Sequence, residues 1–423
     1  MKNVLTLILA FSFAGIASAK DPQLDVTYAL PDGKPQTMDY RIPDGPGPFP
    51  AVIFVHGGGW ASGDKEHATE VKPILDPLYA GNIAWFTINY RLSGQAKYPA
   101  CVEDVESAIQ FVKAHAKEYN IDPEKIALGG ESAGGHIVDM VAVRATPDKP
   151  ERHLAAVIAF YAPNDLVEDS FRRGSGAALL QNLFGVRSTA LDTESIKVLQ
   201  AGSPIAFVSP NLPPFLLLHG TADTSVDYPS SIIWQEDLDI LGVPCEMITI
   251  PMGVHVMGNW DKMNPPQTAY KEQLVAWLHK TLANPPAAVV KTEPVAQDKL
   301  AGLWKNVHGP DNSGIYLVAD GTGDSLLAPM SSVKWTYDPT AAQVHIDYPA
   351  GEGRNVPYAG SPDLSQANKD KITNAGVRPK VSFYDLHYFP KQDVMISSNG
   401  EIYTRQTAAT MTAYLKKKAA AGN

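Results

Sequence analysis

Cysteine is nearly absent from this chain: two residues in 423, Cys101 and Cys245. Two are too few for a disulfide framework, and a chain of this length buries a core that needs none. Positive charge is also in short supply. Lys and Arg number 35 against 45 Asp and Glu, a net charge of −10 with no basic stripe. That balance excludes the usual electrostatic footprint of a nucleic-acid binder, and it would repel acidic polysaccharides unless a cleft were locally basic. Eleven histidines are present, but none falls in a metal-ligand spacing such as His-Glu-x-x-His, so no metal site is expected. Beyond the N-terminus no apolar run is long enough to span a bilayer. Internal repeats are lacking, and nothing in the sequence specifies an oligomeric state. With 44% hydrophobic and 19% charged residues, the composition excludes a disordered chain, and the length predicts one large domain plus a smaller one.

The first residues form one distinct unit. Lys2 supplies a short basic region, Val4 to Ile16 an apolar run, and Ala17-Ser18-Ala19 a small-residue cleavage site. The run is short for a membrane span, and the small residues sit at its end. Residues 1–19 are therefore predicted to be a cleaved signal peptide, with export to a periplasm or beyond and no stable membrane anchor afterwards. Cleavage removes one Lys and no acid, making the mature chain one unit more negative.

Residues 25 to 42 alternate around a Pro-Asp-Gly-Lys turn, which predicts a β-hairpin. After it come short continuous apolar runs: AVIFV (51–55), IAWFTI (83–88), KIALG (125–129), AAVIAFY (155–161), PFLLLH (214–219) and EMITI (246–250). Runs without polar alternation suit strands buried on both faces. Helical stripes lie between them at 102–119, 228–242 and 265–283. Strand, helix, strand, helix predicts an α/β domain with a mostly parallel sheet, over residues 20–282. The less regular stretch 167–213 is placed to cover the cleft. Residues 283–297 are proline-rich and aperiodic, as in a linker. From 298 to 423 the texture is β-rich: SVKWTYDPTAAQVHIDY predicts two strands joined at Asp338-Pro339, and SSNGEIYTRQ a hairpin with an Asn-Gly turn. A short frayed helix is expected at the C-terminus. Cys101 should open a helix at one end of the sheet and Cys245 a strand at the other, so they are expected to stay unpaired.

The chemistry gathers on a few positions. Gly130-Glu131-Ser132-Ala133-Gly134 follows an apolar run and precedes a helical one. Strand, tight turn, helix is the context in which Gly-x-Ser-x-Gly means a nucleophile elbow. Glycines flank the serine because a Cβ there would strike neighbouring backbone. The turn also brings the hydroxyl to a helix N-terminus, where N–H groups favour developing negative charge. His56-Gly57-Gly58-Gly59-Trp60 follows AVIFV, and its unshielded amides can hold an oxyanion. Gly57 and Gly58 are assigned as donors there, with the N–H of Ala133 as the matching second. A phosphate loop is disfavoured, because no Lys-Ser/Thr signature follows.

Serine is a weak nucleophile at its ordinary pKa and needs a base held in one tautomer. Asp223 follows PFLLLH and His255 follows EMITI. Both fall just beyond the C-terminal end of a strand, where parallel-sheet sites lie, and in the order serine, acid, base. The rivals are weaker. Asp227 should begin the next helix, Asp165 follows a different strand, His56 and His136 flank the motifs and should hold loops, and His219 ends a buried strand. Trp60 and Tyr90 either line the cleft or pack beneath it.

Taken together, HGGGWASGDK (56–65), INYRL (88–92), IDPEKIALGGESAGGH (121–136), PPFLLLHGTADTSV (213–226) and GVH (253–255) resemble the secreted bacterial carboxylesterases of the α/β-hydrolase superfamily. The likeness is to the feruloyl- and acetyl-esterase branch, related to the hormone-sensitive-lipase type, and it covers roughly residues 25 to 282. It implies an α/β-hydrolase fold, a Ser132–Asp223–His255 triad, an oxyanion hole from Gly57, Gly58 and Ala133, and no cofactor. The implied partner is a small-molecule or polysaccharide-linked ester. One departure is that His255 precedes Val-Met-Gly-Asn-Trp instead of a small apolar residue and Phe or Tyr. LAGLWKNV, YLVADGTGDS and VKWTYDP resemble a small lipocalin-like barrel. Two competing functions remain open from the sequence: an aryl amide or formamide hydrolase, and a catalytically inactive binding protein of the same fold.

Overall fold

A computed structural model gives the fold and describes residues 21–67, 70–145, 153–172, 177–186, 193–285, 295–309, 314–326, 331–348, 367, 383–397 and 400–420. The signal segment, most of the linker and Asn399 of the expected Asn-Gly turn lie outside the described residues.

The alternating N-terminal runs pair as an antiparallel hairpin, β1 (Gln23–Ala29) with β2 (Gln36–Arg41). The six continuous runs become β3 (Phe49–Val55), β4 (Ala84–Ile88), β5 (Ile121–Glu131), β6 (Ala156–Phe160), β7 (Phe215–Gly220) and β8 (Cys245–Ile250). Together they form one eight-stranded sheet in the order β1-β2-β4-β3-β5-β6-β7-β8. β2 lies antiparallel to β4, and every pairing from β4 across to β8 is parallel.

The central strands lack polar alternation because both faces are covered. Ile53, Val55 and Leu128 pack with α2 (Ala100–Ala114), α3 (Ala133–Val143) and α7 (Tyr228–Ile240). Val52, Phe54 and Ala127 pack on the opposite face with α1 (Lys72–Ala80) and α9 (Ala269–Ala283). Full burial of one such side chain stabilises by about 2–3 kcal/mol relative to exposure.

Two helices differ from the expected bounds. α2 ends at Ala114 although its apolar stripe runs further, because Ala116 and Tyr119 reach the same core from the turns that follow. α9 starts at Ala269, past the prolines at 265 and 266, and the Gln267 N–H donates instead to the Trp260 carbonyl at 2.9 Å. Between β6 and β7 lie α4 (Leu166–Arg172), α5 (Ala177–Phe184) and α6 (Thr193–Ala201). Leu179 of α5 occupies the space a Cβ on Gly59 would enter, so this insertion sits directly on the glycine loop after β3.

The second domain is a closed antiparallel barrel of eight strands: β9 (Gly302–Asn306), β10 (Gly314–Leu317), β11 (Thr322–Ser325), β12 (Ser331–Asp338), β13 (Gln343–Asp347), β14 (Phe383–Phe389), β15 (Val394–Ser397) and β16 (Ile402–Arg405). β16 closes onto β9. This is a lipocalin-like architecture. Its interior is filled by Trp304, Trp335, Val344, Ile346, Leu386 and Met395. Alternate residues of β15 face the other way, and Val394, Ile396 and Ile402 join the hydrolase-side cluster containing Trp234 and Leu238. The His308 Nε2–H meets Asp237 Oδ1 at 2.5 Å across the same junction. The final helix, α10 (Ala408–Ala420), is longer than the short frayed one expected, and the Tyr414 hydroxyl ties it to Asp324 at 3.1 Å. Cys101 and Cys245 are both free thiols, and burial pushes the Cys101 thiol up to about 12.

One feature of the core is costly. Asp139 of α3 is fully buried, and neither carboxyl oxygen has a hydrogen-bond partner among the described residues. Burial holds this carboxyl well above the ordinary carboxylate range, so it is protonated in the folded chain. A raised native pKa contributes stability that is present below the unfolded pKa and lost as pH rises towards the native one. Asp139→Asn removes that loss. The variant's advantage in chemical-denaturation stability should grow with pH, by up to about 1.4 kcal/mol per unit above the unfolded carboxyl's range; a pH-independent difference contradicts a buried neutral acid.

Candidate active site

β5 ends at Glu131 and α3 begins at Ala133, leaving one residue to reverse the chain. Ser132 does so at φ +52° and ψ −118°, a left-handed conformation that costs a residue with a Cβ on the order of 1 kcal/mol or more. It is held there from both sides. The Ser132 N–H donates to the Phe160 carbonyl at 2.9 Å, and the Ser132 carbonyl accepts from His136 N–H at 3.0 Å. A Cβ on Gly130 would collide with the Gly134 carbonyl, and one on Gly134 with the Val55 carbonyl. Glycine is required at both positions by contact alone.

Three side chains from distant loops meet above this turn. The Ser132 hydroxyl lies 3.0 Å from His255 Nε2, and His255 Nδ1 lies 2.6 Å from Asp223 Oδ2. With Nδ1–H donating to the carboxylate, Nε2 is left to accept the serine proton. Asp223 Oδ1 meanwhile accepts from the N–H groups of Ser225 at 2.8 Å and Val226 at 3.0 Å. Burial by itself would raise this carboxyl, but hydrogen bonds from His219 and His255 hold it well below the usual carboxylate range. It is an anion throughout the range where imidazoles titrate.

The departure after His255 has a structural cause. Val256 turns the chain at φ +75°, and Met257–Trp260 form the one-turn α8. Trp260 Nε1–H donates to the Val254 carbonyl at 2.7 Å, Asn259 Nδ2–H to the His255 carbonyl at 3.0 Å, and Met257 N–H to the Tyr161 hydroxyl at 3.0 Å. Val-Met-Gly-Asn-Trp is therefore a clamp on the histidine loop. Tyr161 also lays its ring against His255, with centroids 4.6 Å apart.

In the glycine loop after β3, Gly57 packs on the buried Glu131 carboxyl, whose oxygens a Cβ there would strike. Gly58 at φ +93° and Gly59 at φ +59° carry the loop onward. Among the described residues, no acceptor is recorded for the N–H of Gly58, Gly59 or Ala133. The amides of Gly58, Gly59 and Ala133 are thus available as donors beside the Ser132 hydroxyl. Trp60 and Tyr90 are buried supports, 1% and 2% exposed, and do not line an open cleft. The Tyr90 hydroxyl donates towards the His56 and Gly57 carbonyls at 3.2 and 3.1 Å, and its ring stacks on His56 at 4.5 Å.

Just past the loop, Lys65 is buried and bonds Asp39 and Asp25 at 2.9 Å each, which ties HGGGWASGDK to the hairpin. INYRL is fixed by Arg91, whose guanidinium meets Asp104 at 2.9 Å. Asp227 stands at the N-cap of α7, paired with Arg172, and Asp165 caps α4 by accepting from the Val167 and Glu168 N–H groups at 3.0 Å each.

Residue-by-residue reading missed two participants. His219, which the sequence places only at the end of a buried strand, has its Nε2 3.3 Å from Asp223 Oδ2, so the acid faces two imidazoles. Because His219 Nε2 faces two acceptors, the Val226 carbonyl at 3.1 Å and the Asp223 carboxylate, it carries the proton, and Nδ1 accepts from the Ser231 hydroxyl at 2.7 Å. Its place at the end of β7, four residues before the acid, was the available signal. Glu131, the variable residue of the Gly-x-Ser-x-Gly motif, is the second. Burial, then the neighbouring Glu70, pushes its carboxyl well above the ordinary range.

Comparison with known proteins agrees with the geometry. Residues 38–238 match the BD-FAE family. Over 191 residues the chain is 30% identical to the probable carboxylic ester hydrolase LipM of Mycobacterium tuberculosis, covering 43% of this chain and 42% of that one. The chain spans about half the length of the curated relatives it matches. Among solved structures, a truncated carbohydrate esterase from gut microbiota superposes with a TM-score of 0.54 at 24% identity, over 64% of this chain and 99% of that one. An acetyl ester-xyloside bifunctional hydrolase from Caldicellulosiruptor lactoaceticus superposes with a TM-score of 0.50 at 25% identity, over 58% and 88%. The larger domain of this protein thus has the α/β-hydrolase fold, and its sequence is similar to carboxylic ester hydrolases.

Proposed function

We propose that the protein is a serine hydrolase that cleaves carboxylic esters through an acyl-enzyme. The observation that carries this reading is the unbroken line from the Ser132 hydroxyl to His255 Nε2 at 3.0 Å and from His255 Nδ1 to Asp223 at 2.6 Å. His255 takes the serine proton as Oγ attacks the ester carbonyl. The tetrahedral oxyanion is held by the N–H groups of Gly58, Gly59 and Ala133, and Asp223 stabilises the imidazolium. His255 then protonates the departing alcohol, and water activated by the same imidazole discharges the acyl group. Nothing in this sequence of steps calls for a cofactor. The substrates proposed are esters of acetyl, feruloyl or other short acyl groups, including esters on plant polysaccharide. The likeness to an acetyl ester-xyloside hydrolase supports that class.

A fluorophosphonate should label the native chain once, at Ser132, and leave Ser132→Ala unlabelled. The same substitution should lower kcat on p-nitrophenyl acetate by a factor on the order of 10⁶. Faster turnover of an aryl formamide than of any ester would reassign the enzyme to amides, and a folded chain that takes no label would make it a binding protein. The pH profile is a further test. Asp223 is held ionised well below the usual carboxylate range, so its own protonation adds nothing to the acid limb, and kcat/KM should decline on acidification with a slope of one. A flat acid limb or a slope of two contradicts the mechanism.

The proposal includes export, supported by the leader at residues 1–19. N-terminal sequencing of the protein from its native host should begin at Lys20, in a periplasmic or external fraction; a cytosolic chain retaining the leader overturns this part.

A further inference from the structure

His136 is the fourth residue after the nucleophile, in the first turn of α3, and it is fully buried. Trp60 Nε1–H donates to its Nδ1 at 3.1 Å, with the two rings edge-on at 87° and centroids 5.3 Å apart. An indole nitrogen only donates, so Nδ1 must be the acceptor and the proton sits on Nε2. That Nε2–H donates to the Gly202 carbonyl at 2.7 Å. One neutral imidazole in a single tautomer therefore bridges three elements: the loop carrying Gly58 and Gly59, the nucleophile helix, and the chain leaving α6 at the end of the insertion.

Both ends of the bridge are themselves fixed. The Trp60 carbonyl accepts from Ser93 N–H at 2.8 Å. Gly202 leaves no room for a side chain, because a Cβ there would strike the ring of Phe184 in α5. Next to it, the Ser203 hydroxyl accepts from Leu166 N–H and donates to the Leu199 carbonyl, both at 2.9 Å, which pins α4 to α6. The insertion also touches the glycine loop directly, through Leu179 against Gly59. Burial lowers the His136 pKa to about 4, so the bridge does not switch at the pH where His255 works.

We propose that His136 is a positioning residue that couples the insertion to the oxyanion loop: its Nδ1 sets the loop through Trp60, and its Nε2–H sets the insertion through Gly202. The two halves of the imidazole then have separable effects on catalysis. The Trp60 link holds the donors that meet charge only in the transition state, so its loss falls on kcat. The Gly202 link holds the insertion, α4 to α6, and no donor to the transition state, so its loss falls on KM. The inference rests on the serine-esterase reading.

The test is steady-state kinetics on the full chain with p-nitrophenyl acetate, alongside fluorophosphonate labelling and thermal unfolding. Trp60→Phe deletes the indole N–H and keeps an aromatic ring. His136→Gln can place an amide N–H where Nε2 stands, keeping the Gly202 link and losing the Trp60 one. Each should lower kcat about tenfold, the equivalent of one buried hydrogen bond, with KM changed less than about twofold. The double variant Trp60→Phe/His136→Gln should be no worse than either single one, since both delete the same bond. His136→Asn, which can place its amide oxygen where Nδ1 stands, should raise KM with the smaller effect on kcat. A Trp60→Phe enzyme with native kcat, multiplicative losses in the double variant, or the same kinetic pattern from His136→Asn and His136→Gln would overturn the proposal. Trp60→Phe keeps the test decisive if the His136 variants fail to fold. A native chain that neither labels nor hydrolyses would instead sink the esterase reading and this inference with it, whereas an active native chain with an unchanged Trp60→Phe sinks the inference alone.

Discussion

Ser132 can hold its left-handed turn only because the residues two before and two after it present hydrogen where any other residue presents carbon. With a Cβ at 130 or 134 the carbonyls of Gly134 and Val55 would have to move, and with them the first turn of α3 and the end of β3. The rest of the site is arranged around that turn. Because β5 runs between β3 and β6, the hydroxyl emerges beside the glycine loop after β3, and Asp223 and His255 reach it from the loops after β7 and β8 on the other side. Because α3 starts one residue later, the Ala133 N–H points outward with no helical partner. The strain is offset by the hydrogen bonds at both ends of Ser132 and by the buried apolar face of α3.

A single turn does not make a catalyst, and the surrounding loops are held by polar links buried where water cannot compete. Tyr90 secures two carbonyls of the glycine loop, Tyr161 joins the histidine loop to β6, and His219 shares the catalytic acid with His255. In a low-dielectric setting such bonds are worth more than at the surface, and donors fixed in advance need not reorganise as charge develops. The ion pairs of Lys65 and Arg91 do the same at longer range, joining the loops after β3 and β4 to the hairpin and to α2. The barrel meets the hydrolase domain at α7. It packs one face of β15 and Ile402 of β16 against α7, with His308 bonded to Asp237 at the same seam, while its interior is occupied by its own side chains.

How much of this could be read from the residues follows from how local each feature is. The strands were legible because double-sided burial leaves continuous apolar runs, and the three chemical side chains because each lies within a few residues of a strand's C-terminal end. The boundary of α2 was not, since Ala116 and Tyr119 satisfy the same stripe without being helical. The packing of Gly57 on Glu131 was not legible either, because the two are neighbours in space but remote in sequence, and no spacing rule contains that contact. The His219 contact with Asp223 and the Trp60–His136–Gly202 bridge are tertiary facts of the same kind.

The account stands on charge developing at one place, between the amides of the glycine loop and the N-terminus of α3. A crystal structure of the chain phosphonylated on Ser132 measures this most directly, because the phosphoryl oxygen occupies the site of the oxyanion. The account predicts that oxygen within about 3 Å of the Ala133 nitrogen and of the Gly58 or Gly59 nitrogen, with Gly57 still packed on Glu131. A phosphoryl oxygen directed to solvent, or bound by the Gly57 N–H, would contradict it.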